Sequence, residues 1–390
     1  MIATGPVLKT PSSARFTIDG DETLERHLAF TCALIASGVR GLLPARKIEA
    51  ILLAGGYGRG EGGVLVSGGG QRPYNDIEFY VALRGSRHLN EARYGRRLEV
   101  LAEILSHLAG IEVEFKVTSL AELERRPVSM FTYDLASGNR LLWADDPAAF
   151  PGLWKHHLQA EAIPATEATR LLMNRCTGLL LARARLGAAP LSATDADFVR
   201  RNIAKAQLAC GDALLTARGL YHWSCRERHA RLADIALKDS SPLFDTALRH
   251  HAEGVHFKLH PNALGVQAES LPRDYSEVHA LARACWLHLE SRRLQREFRS
   301  IRAYVDDPVD KCAGSPALLN AMLNLRAGGS RSIFRHPRGR AYHALAILLW
   351  ESESLDDPLL WGRLAAELNA RRDTFAGWLD AYQALWVQVR

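Results

Sequence analysis

The sequence predicts an α+β protein: a small mixed-sheet domain, residues 1–150, followed by a larger all-helical domain, residues 151–390. Short apolar or alternating segments that are typical of strands are confined to the first part. From about Thr166 to the end, apolar residues recur with helical spacing. A chain of 390 residues is also long enough for two or three domains.

The elements of the first domain follow from its periodicity. An amphipathic helix over Thr23–Val39 is expected to pack against the sheet. The expected strands are Lys47–Ala54, Asp76–Leu83, Ile111–Val117 and Arg140–Trp143. A further helix over Leu89–Leu108 lies between the second and third of these strands, and the sequence ADDP ends the fourth.

A glycine-rich turn follows the first expected strand. Residues 54–63 read AGGYGRGEGG, and glycines let the backbone approach a ligand closely, so that exposed amide N–H groups suit a triphosphate. Arg59 adds a guanidinium, which matches phosphate oxygens in a bidentate way. The turn is therefore predicted to bind phosphate.

Two carboxylates open the next expected strand. Asp76 and Glu78 are two residues apart, so their side chains project from the same face of a strand, whereas Ile77 and Phe79 point to the other face. Both carboxylates can therefore reach one ion. Mg²⁺ prefers such oxygen ligands and shares them with substrate phosphates and water.

A third carboxylate is expected on the strand Ile111–Val117. This segment alternates, with apolar residues on one face and Glu112, Glu114 and Lys116 on the other. Glu114 is the preferred third ligand and Glu112 the reserve. Alternation alone does not separate them, because both face the same way.

The run GGYGRGE followed by NDIEF resembles the signature of the DNA polymerase β-like nucleotidyltransferase superfamily. In that signature a Gly-Ser pair, often followed by Arg-Gly-Glu, precedes Asp-x-Asp, and a third carboxylate lies on a later strand. The matching residues here are Gly55, Arg59, Gly60, Glu61, Asp76 and Glu78. Two positions depart from the signature, because Gly56 replaces the serine and Glu78 replaces the second aspartate.

The resemblance implies transfer of a nucleoside monophosphate from an NTP, in the first place ATP, to an acceptor of unknown identity, with release of pyrophosphate. Asp76, Glu78 and Glu114 would hold two Mg²⁺ ions, and Glu114 could act as base. Gly55, Gly56, Arg59 and Gly60 would bind the β- and γ-phosphates. Two alternatives remain open: a catalytically inactive nucleotide-binding interaction protein, and a toxin-like enzyme that modifies RNA or protein.

The second half resembles, more loosely, the helical domain of kanamycin-type nucleotidyltransferases. The similar segments begin at Leu171, Arg201 and Gly211. By this resemblance Lys205 or Arg175 would reach the triphosphate or the acceptor, and the helical half would supply the acceptor pocket.

Other phosphate-binding motifs fit the glycine turn less well. The GRGEGG run satisfies the G-x-G-x-x-G pattern, but a Rossmann unit needs a helix before the acidic residue. Val64–Asn75 contains three consecutive glycines and a proline, which leaves no room for that helix. A kinase glycine loop is disfavoured as well, because no V-A-I-K strand or H-R-D loop follows.

The formal net charge is +6, and the basic excess lies in residues 151–390. A nucleic acid could exploit this excess, but solvated helix faces are the favoured explanation. The arginines at 331, 335, 338 and 340, with His336, could bind an anionic acceptor or form a basic loop. Lys258 could lie near a phosphate, although a water-facing position at a helix end is favoured.

Several features of the composition predict a cytoplasmic protein that does not enter membranes. There is no run of 18 or more apolar residues, and the N-terminus lacks the order of a signal peptide. The six cysteines are far apart and form no C-x-x-C pair, so we expect reduced thiols.

Overall fold

The computed structural model describes residues 15–148, 150, 153–187, 190–239, 241–261, 268–327, 333–352 and 357–389. These residues form the expected α+β protein, with a small mixed sheet and a hairpin near the N-terminus and a larger helical region after them. The chain divides into two compact units. The first contains the described residues of Met1–Pro164, Gly219–Arg231 and Val255–Gly265, and the second contains those of Ala165–Arg218, Leu232–Gly254 and Val266–Arg390.

This division is not one cut in the sequence. The predicted boundary after residue 150 assigns everything beyond it to the helical domain, whereas the first unit also contains residues 151–164 and two later segments. Hydrogen bonds and an ion pair join those two segments to the first unit.

The sheet of the first unit has four strands in the order β5-β4-β1-β6. Within the described residues the strands, in sequence order, are β1 Ile48–Leu53, β2 Val64–Ser67, β3 Gly70–Pro73, β4 Asp76–Leu83, β5 Glu112–Thr118 and β6 Arg140–Ala144. β1 is antiparallel to both β4 and β6, and β4 is parallel to β5. The sequence does not predict the hairpin β2-β3, which lies in Val64–Asn75, the segment whose glycines and proline leave no room for a Rossmann helix.

Five helices belong to the N-terminal part: α1 Glu22–Leu42, α2 Gly55–Gly58, α3 Arg87–Ala109, α4 Leu120–Arg125 and α5 Met130–Ser137. α1 begins where the side chain of Asp21 accepts a hydrogen bond from the Leu24 amide at 2.8 Å. α3 ends at Gly110, whose left-handed backbone (φ 64°) stops the helix before β5. α3 makes the crossover that the parallel pair β4 and β5 needs.

The sheet is covered on both faces. Ile51 and Leu53 of β1 pack with side chains of α1 and α3, whereas Ala50 and Leu52 pack with Leu123, Leu135 and Trp154 on the other face. This double burial explains why Ala50–Leu53 of β1 is a continuous apolar run rather than an alternating one. The polar residues that open β4 lie on the second face.

The remaining helices are α6 Thr166–Leu186, α7 Ala193–Thr216, α8 Cys225–Lys238, α9 Pro242–Leu259, α10 Leu271–Leu294, α11 Ile301–Asp306, α12 Ala317–Arg326, α13 Pro337–Trp350, α14 Pro358–Leu368 and α15 Phe375–Val389. The second unit has its own core, with Trp286, Tyr304, Trp378 and Tyr382 almost completely buried. Within the described residues, no helix combines the length and the apolar character needed to span a membrane.

Candidate active site

Three carboxylates lie close together at the beginning of β4 and β5. β4 and β5 are neighbours in register, with Asp76 opposite Glu112 and Glu78 opposite Glu114. One oxygen atom from each of Asp76, Glu78 and Glu114 lies within 4.8 Å of the other two. This geometry agrees with the predicted juxtaposition of Glu114 with the acidic pair of β4. We call these three residues the carboxylate triad.

Glu112, the reserve for the third position, is exposed and does not belong to the triad. Its backbone lies directly opposite Asp76, so the strand register by itself does not exclude it. Glu114 and not Glu112 is assigned to the triad because of the positions of their carboxylate oxygens.

The glycine turn touches the triad directly. Gly55 has a left-handed backbone (φ 64°), and a Cβ atom on it would lie 3.0 Å from Glu78 Oε2. The Ala54 amide donates a hydrogen bond of 2.9 Å to the Glu78 carbonyl oxygen, which joins the end of β1 to β4. Gly56 lies against Glu61, because a Cβ atom on Gly56 would lie 3.0 Å from the Glu61 carbonyl oxygen. The serine of the superfamily signature would be crowded at this position.

The charges of the triad repel each other. Burial raises the pKa of Asp76 above its ordinary range, and the charges of Glu78 and Glu114 raise it further, while Asn75 and Lys116 oppose them. A cation bound between the carboxylates would remove this repulsion. Three closely spaced carboxylate oxygens are also the hard ligands that Mg²⁺ selects, so the donor set fits this ion.

Lys116 is a member of the site that the sequence analysis did not identify. Its Nζ atom lies 2.9 Å from Glu78 Oε1 and 3.1 Å from Glu114 Oε2. Burial lowers the pKa of Lys116, but the hydrogen bond and the charge of Glu78 outweigh burial, so the pKa lies above its ordinary value. The alternation in β5, which places Lys116 on the same face as Glu114, was the available signal.

Arg59 lies against an acidic side chain of its own unit. Its Nη1 atom is 3.6 Å from Asp134 Oδ2, and its side chain is only 14% exposed. Burial raises the pKa of Asp134, while Arg59, Arg228 and Lys258 oppose this shift. Arg59 Nε is buried without a hydrogen-bond partner among the described atoms. The contact of Arg59 with phosphate stays a prediction.

Glu61 ties two distant segments to the glycine turn. Its carboxylate accepts hydrogen bonds from the Ser224 hydroxyl and from the Cys225 amide, the latter at 3.0 Å, where α8 begins. Lys258 Nζ of α9 lies 3.6 Å from Glu61 Oε2, so this lysine forms an ion pair rather than facing water. These contacts explain why residues 219–231 and 255–261 belong to the first unit, and the sequence held no local signal for them.

The other two basic residues that the resemblance selected lie in the second unit. Lys205 is exposed on α7 and Arg175 is partly buried on α6. Both have polar or electrostatic interactions of their own. Their roles toward a triphosphate or an acceptor stay predictions.

No protein-family model, no curated protein and no solved structure matches the chain. The geometry of the first unit therefore carries the functional argument.

Proposed function

We propose that the protein is a metal-dependent nucleotidyltransferase, which transfers a nucleoside monophosphate from an NTP to an acceptor. The observation that carries this proposal is the carboxylate triad, with oxygens within 4.8 Å of one another and in contact with a glycine turn at the end of β1. A nucleoside triphosphate requires a cation site beside a segment of backbone that can approach its phosphates closely, and the glycine turn lies beside the triad in this way.

Each part of the site has a chemical role in this proposal. Asp76, Glu78 and Glu114 would hold Mg²⁺, which when bound neutralises phosphate charge and orients the reacting groups. The amides of Gly55 and Gly56, at the beginning of the turn, would bind phosphate oxygens, because those of Gly58, Arg59 and Gly60 already donate to backbone carbonyl oxygens. Tyr57 keeps this turn in place, because its hydroxyl donates to the Gly63 carbonyl at 2.8 Å and accepts from the Tyr74 amide at 2.8 Å.

The direct test combines the purified full chain, Mg²⁺ and each α-³²P-labelled NTP in turn with a cell extract that supplies acceptors. We expect a labelled product together with pyrophosphate. The extract is then separated into small molecules, RNA and protein, and the labelled fraction identifies the acceptor class. Absence of labelled product and of pyrophosphate with all four nucleotides would contradict the proposal.

Asp76→Asn tests the site assignment. The amide keeps the shape of the side chain but removes one negative charge from the triad, so we expect turnover to fall by at least about a hundredfold. The melting temperature should not decrease, because the substitution relieves repulsion in the folded protein.

Glu112→Gln is the matched control for this variant. It removes the same charge from the strand residue opposite Asp76, but Glu112 is outside the triad. We expect turnover within about twofold of the wild type. Equal losses in the two variants would show a general charge effect and reject the triad as the metal site.

Lys116 favours one alternative, a nucleotide-binding protein without catalysis, because its ammonium already occupies the position between Glu78 and Glu114. The two functions differ in their response to metal. For the enzyme, we expect Mg²⁺ or Mn²⁺ to tighten nucleotide binding in the wild type. For the binding protein, we expect the nucleotide affinity of the wild type to be the same with and without Mg²⁺. In Lys116→Met, which lacks the competing ammonium, Mg²⁺ should then tighten nucleotide binding. Isothermal titration of both proteins with and without Mg²⁺ separates these outcomes.

A further inference from the structure

The second unit contains a cavity of about 380 Å³ next to the first turn of α13. Its lining comes from the segment after α11, from the start of α13 and from α14. A cavity of this size accepts a small metabolite. It shares no residue with the carboxylate triad, and it contains three of the basic residues that the sequence analysis grouped together: Arg335, His336 and Arg340. Arg331 lies outside the described residues.

Arg340 is the central cation of this cavity. It is only 7% exposed, and its guanidinium meets neutral acceptors: Nε donates to the Glu367 carbonyl at 2.7 Å and Nη1 donates to Asn324 Oδ1 at 3.3 Å. Its Nη2 has no hydrogen-bond partner among the described atoms. The charge of Glu367 acts on Arg340, but no carboxylate of the described residues is in ion-pair contact with it. A buried guanidinium with no ion-pair contact and one missing hydrogen bond is costly, so an anion beside it would be stabilising.

Lys311 is a second buried cation in the lining. It is 2% exposed, and its ammonium donates to two carbonyl oxygens, those of Asp307 at 2.9 Å and Val309 at 3.3 Å. Burial lowers the pKa of Lys311 to about 8, while the charges of Asp307 and Glu290 oppose the shift. The described residues place no carboxylate in ion-pair contact with this ammonium.

The described acidic side chains of the cavity form no ion pair with Lys311 or Arg340. Glu367 is already shared by His343 Nδ1 at 2.8 Å and Arg363 Nε at 3.2 Å. Asp310 accepts from the Cys312 amide at 2.9 Å, and Asp306 is exposed. The lining thus contains four cations, those of Lys311, Arg335, Arg340 and Arg363, and three carboxylates. Lys311 and Arg340 are buried, and neither is in ion-pair contact with a carboxylate of the described residues.

We propose that this cavity binds a small molecule through a phosphate group, held by Arg335, which precedes α13, and by Arg340, which lies in the first turns of α13. The planar guanidinium donors match phosphate oxygens, and the N-terminal end of this 14-residue helix favours negative charge. The cavity also has room for the organic part of a phosphate ester. The site is additional to the proposed transferase site and does not depend on it.

The test is isothermal titration of the full chain in EDTA with ribose 5-phosphate, inorganic phosphate and ribose. We expect ribose 5-phosphate to bind with a Kd of about 1 mM or lower, and ribose not to bind. If inorganic phosphate binds as tightly as ribose 5-phosphate, the ligand is the free anion. If inorganic phosphate binds more weakly than ribose 5-phosphate, the ligand is a phosphate ester. Lack of binding by both phosphate compounds would overturn the proposal.

Two variants and two controls locate the binding. Arg335→Met removes an exposed cation and Arg340→Met removes the buried one, and each should weaken binding about tenfold or more. Arg335→Met also tests the site if Arg340→Met does not fold. Arg283→Met, an equal charge change at an exposed position of α10, should leave the affinity unchanged.

Asp76→Asn, the second control, should also bind ribose 5-phosphate as the wild type does, which separates this site from the transferase site. Hydrogen exchange should show protection in residues 306–312 and 335–343. Protection confined to the glycine turn, or wild-type affinity in both arginine variants, would overturn the proposal.

Discussion

Glu61 shows how one side chain can hold distant parts of the first unit together. It is 5% exposed, and burial by itself would raise the pKa of its carboxyl group. The charge of Lys258 and the hydrogen bonds from Ser224 and Cys225 outweigh burial, so the pKa lies below its ordinary value of 4.5. The ionised form of Glu61 is therefore stabilised by folding.

Glu61→Gln should lower the free energy of unfolding at pH 7 by about 1–3 kcal/mol, because it removes a charged acceptor from two buried donors and from Lys258. The carboxylate contribution is present above pH 4.5 and is lost as the pH falls through the lower pKa of the folded state. The difference between variant and wild type should therefore shrink in acid. Denaturant titrations at neutral and acidic pH measure both effects.

Glu103→Gln is the control for this prediction. Glu103 is exposed on α3, so its substitution should change stability by less than about 0.5 kcal/mol at either pH. If Glu61→Gln behaved like this control at pH 7, the anchoring role of Glu61 would be wrong.

The glycine turn between β1 and the hairpin begins at Gly55, and it depends on the left-handed backbone of this residue. Gly55 combines a φ of 64° with close contact to Glu78 Oε2. An L-residue pays a steric cost in this conformation, and its Cβ would press on the triad. Gly55 is thus needed both for the backbone conformation of the turn and for the position of Glu78 in the triad.

Gly55→Ala should destabilise the first unit by about 1–2 kcal/mol and weaken Mg²⁺ binding, because Glu78 must move. Gly41→Ala is the matched control in α1, where none of the described heavy atoms lies within 4 Å of the added Cβ. That change should raise stability by up to about 1 kcal/mol. Thermal melts with and without Mg²⁺ compare the two variants, and equal effects would contradict the assigned turn geometry.

The six cysteines are distributed over both units, and the reactivity of their thiols depends on how closely the surrounding residues pack. None forms a disulfide, five are buried, and Cys312 is partly buried. Burial raises the pKa of Cys32 to about 12 and that of Cys312 to about 12, while Arg140 and Arg338 respectively oppose these shifts. The thiolate, which is the reactive form, is therefore scarce in the folded protein.

We expect the native protein to react with a thiol reagent at least about tenfold more slowly than the unfolded protein, because five of the six thiols are buried and burial limits both the access of the reagent and the thiolate fraction. In denaturant without reductant, six thiols should react. Rapid labelling of several thiols in the native state would show that the packing of the units is looser than described. Fewer than six thiols in denaturant would indicate a disulfide.

The sequence alone determined the α+β fold class and the approximate limits of α1, α3, β1, β4, β5 and β6. These elements are specified by local periodicity, which does not depend on distant contacts. The same periodicity placed Asp76 and Glu78 on one strand face and Glu112 and Glu114 on one face of β5, but it does not separate the two glutamates. The hairpin β2-β3 was missed because its few residues are rich in glycine and carry little periodicity.

Only the tertiary structure decided which charged side chains meet. The approach of Glu114 to Asp76 and Glu78 required the parallel pairing of β4 and β5 through α3, and the same pairing brought Lys116 between two of the carboxylates. The contacts of Glu61 with Ser224 and Lys258 join positions far apart in the chain. Alternation specifies a strand face but not the neighbouring strand or the distant helix that covers it, so such contacts are not encoded in any local pattern.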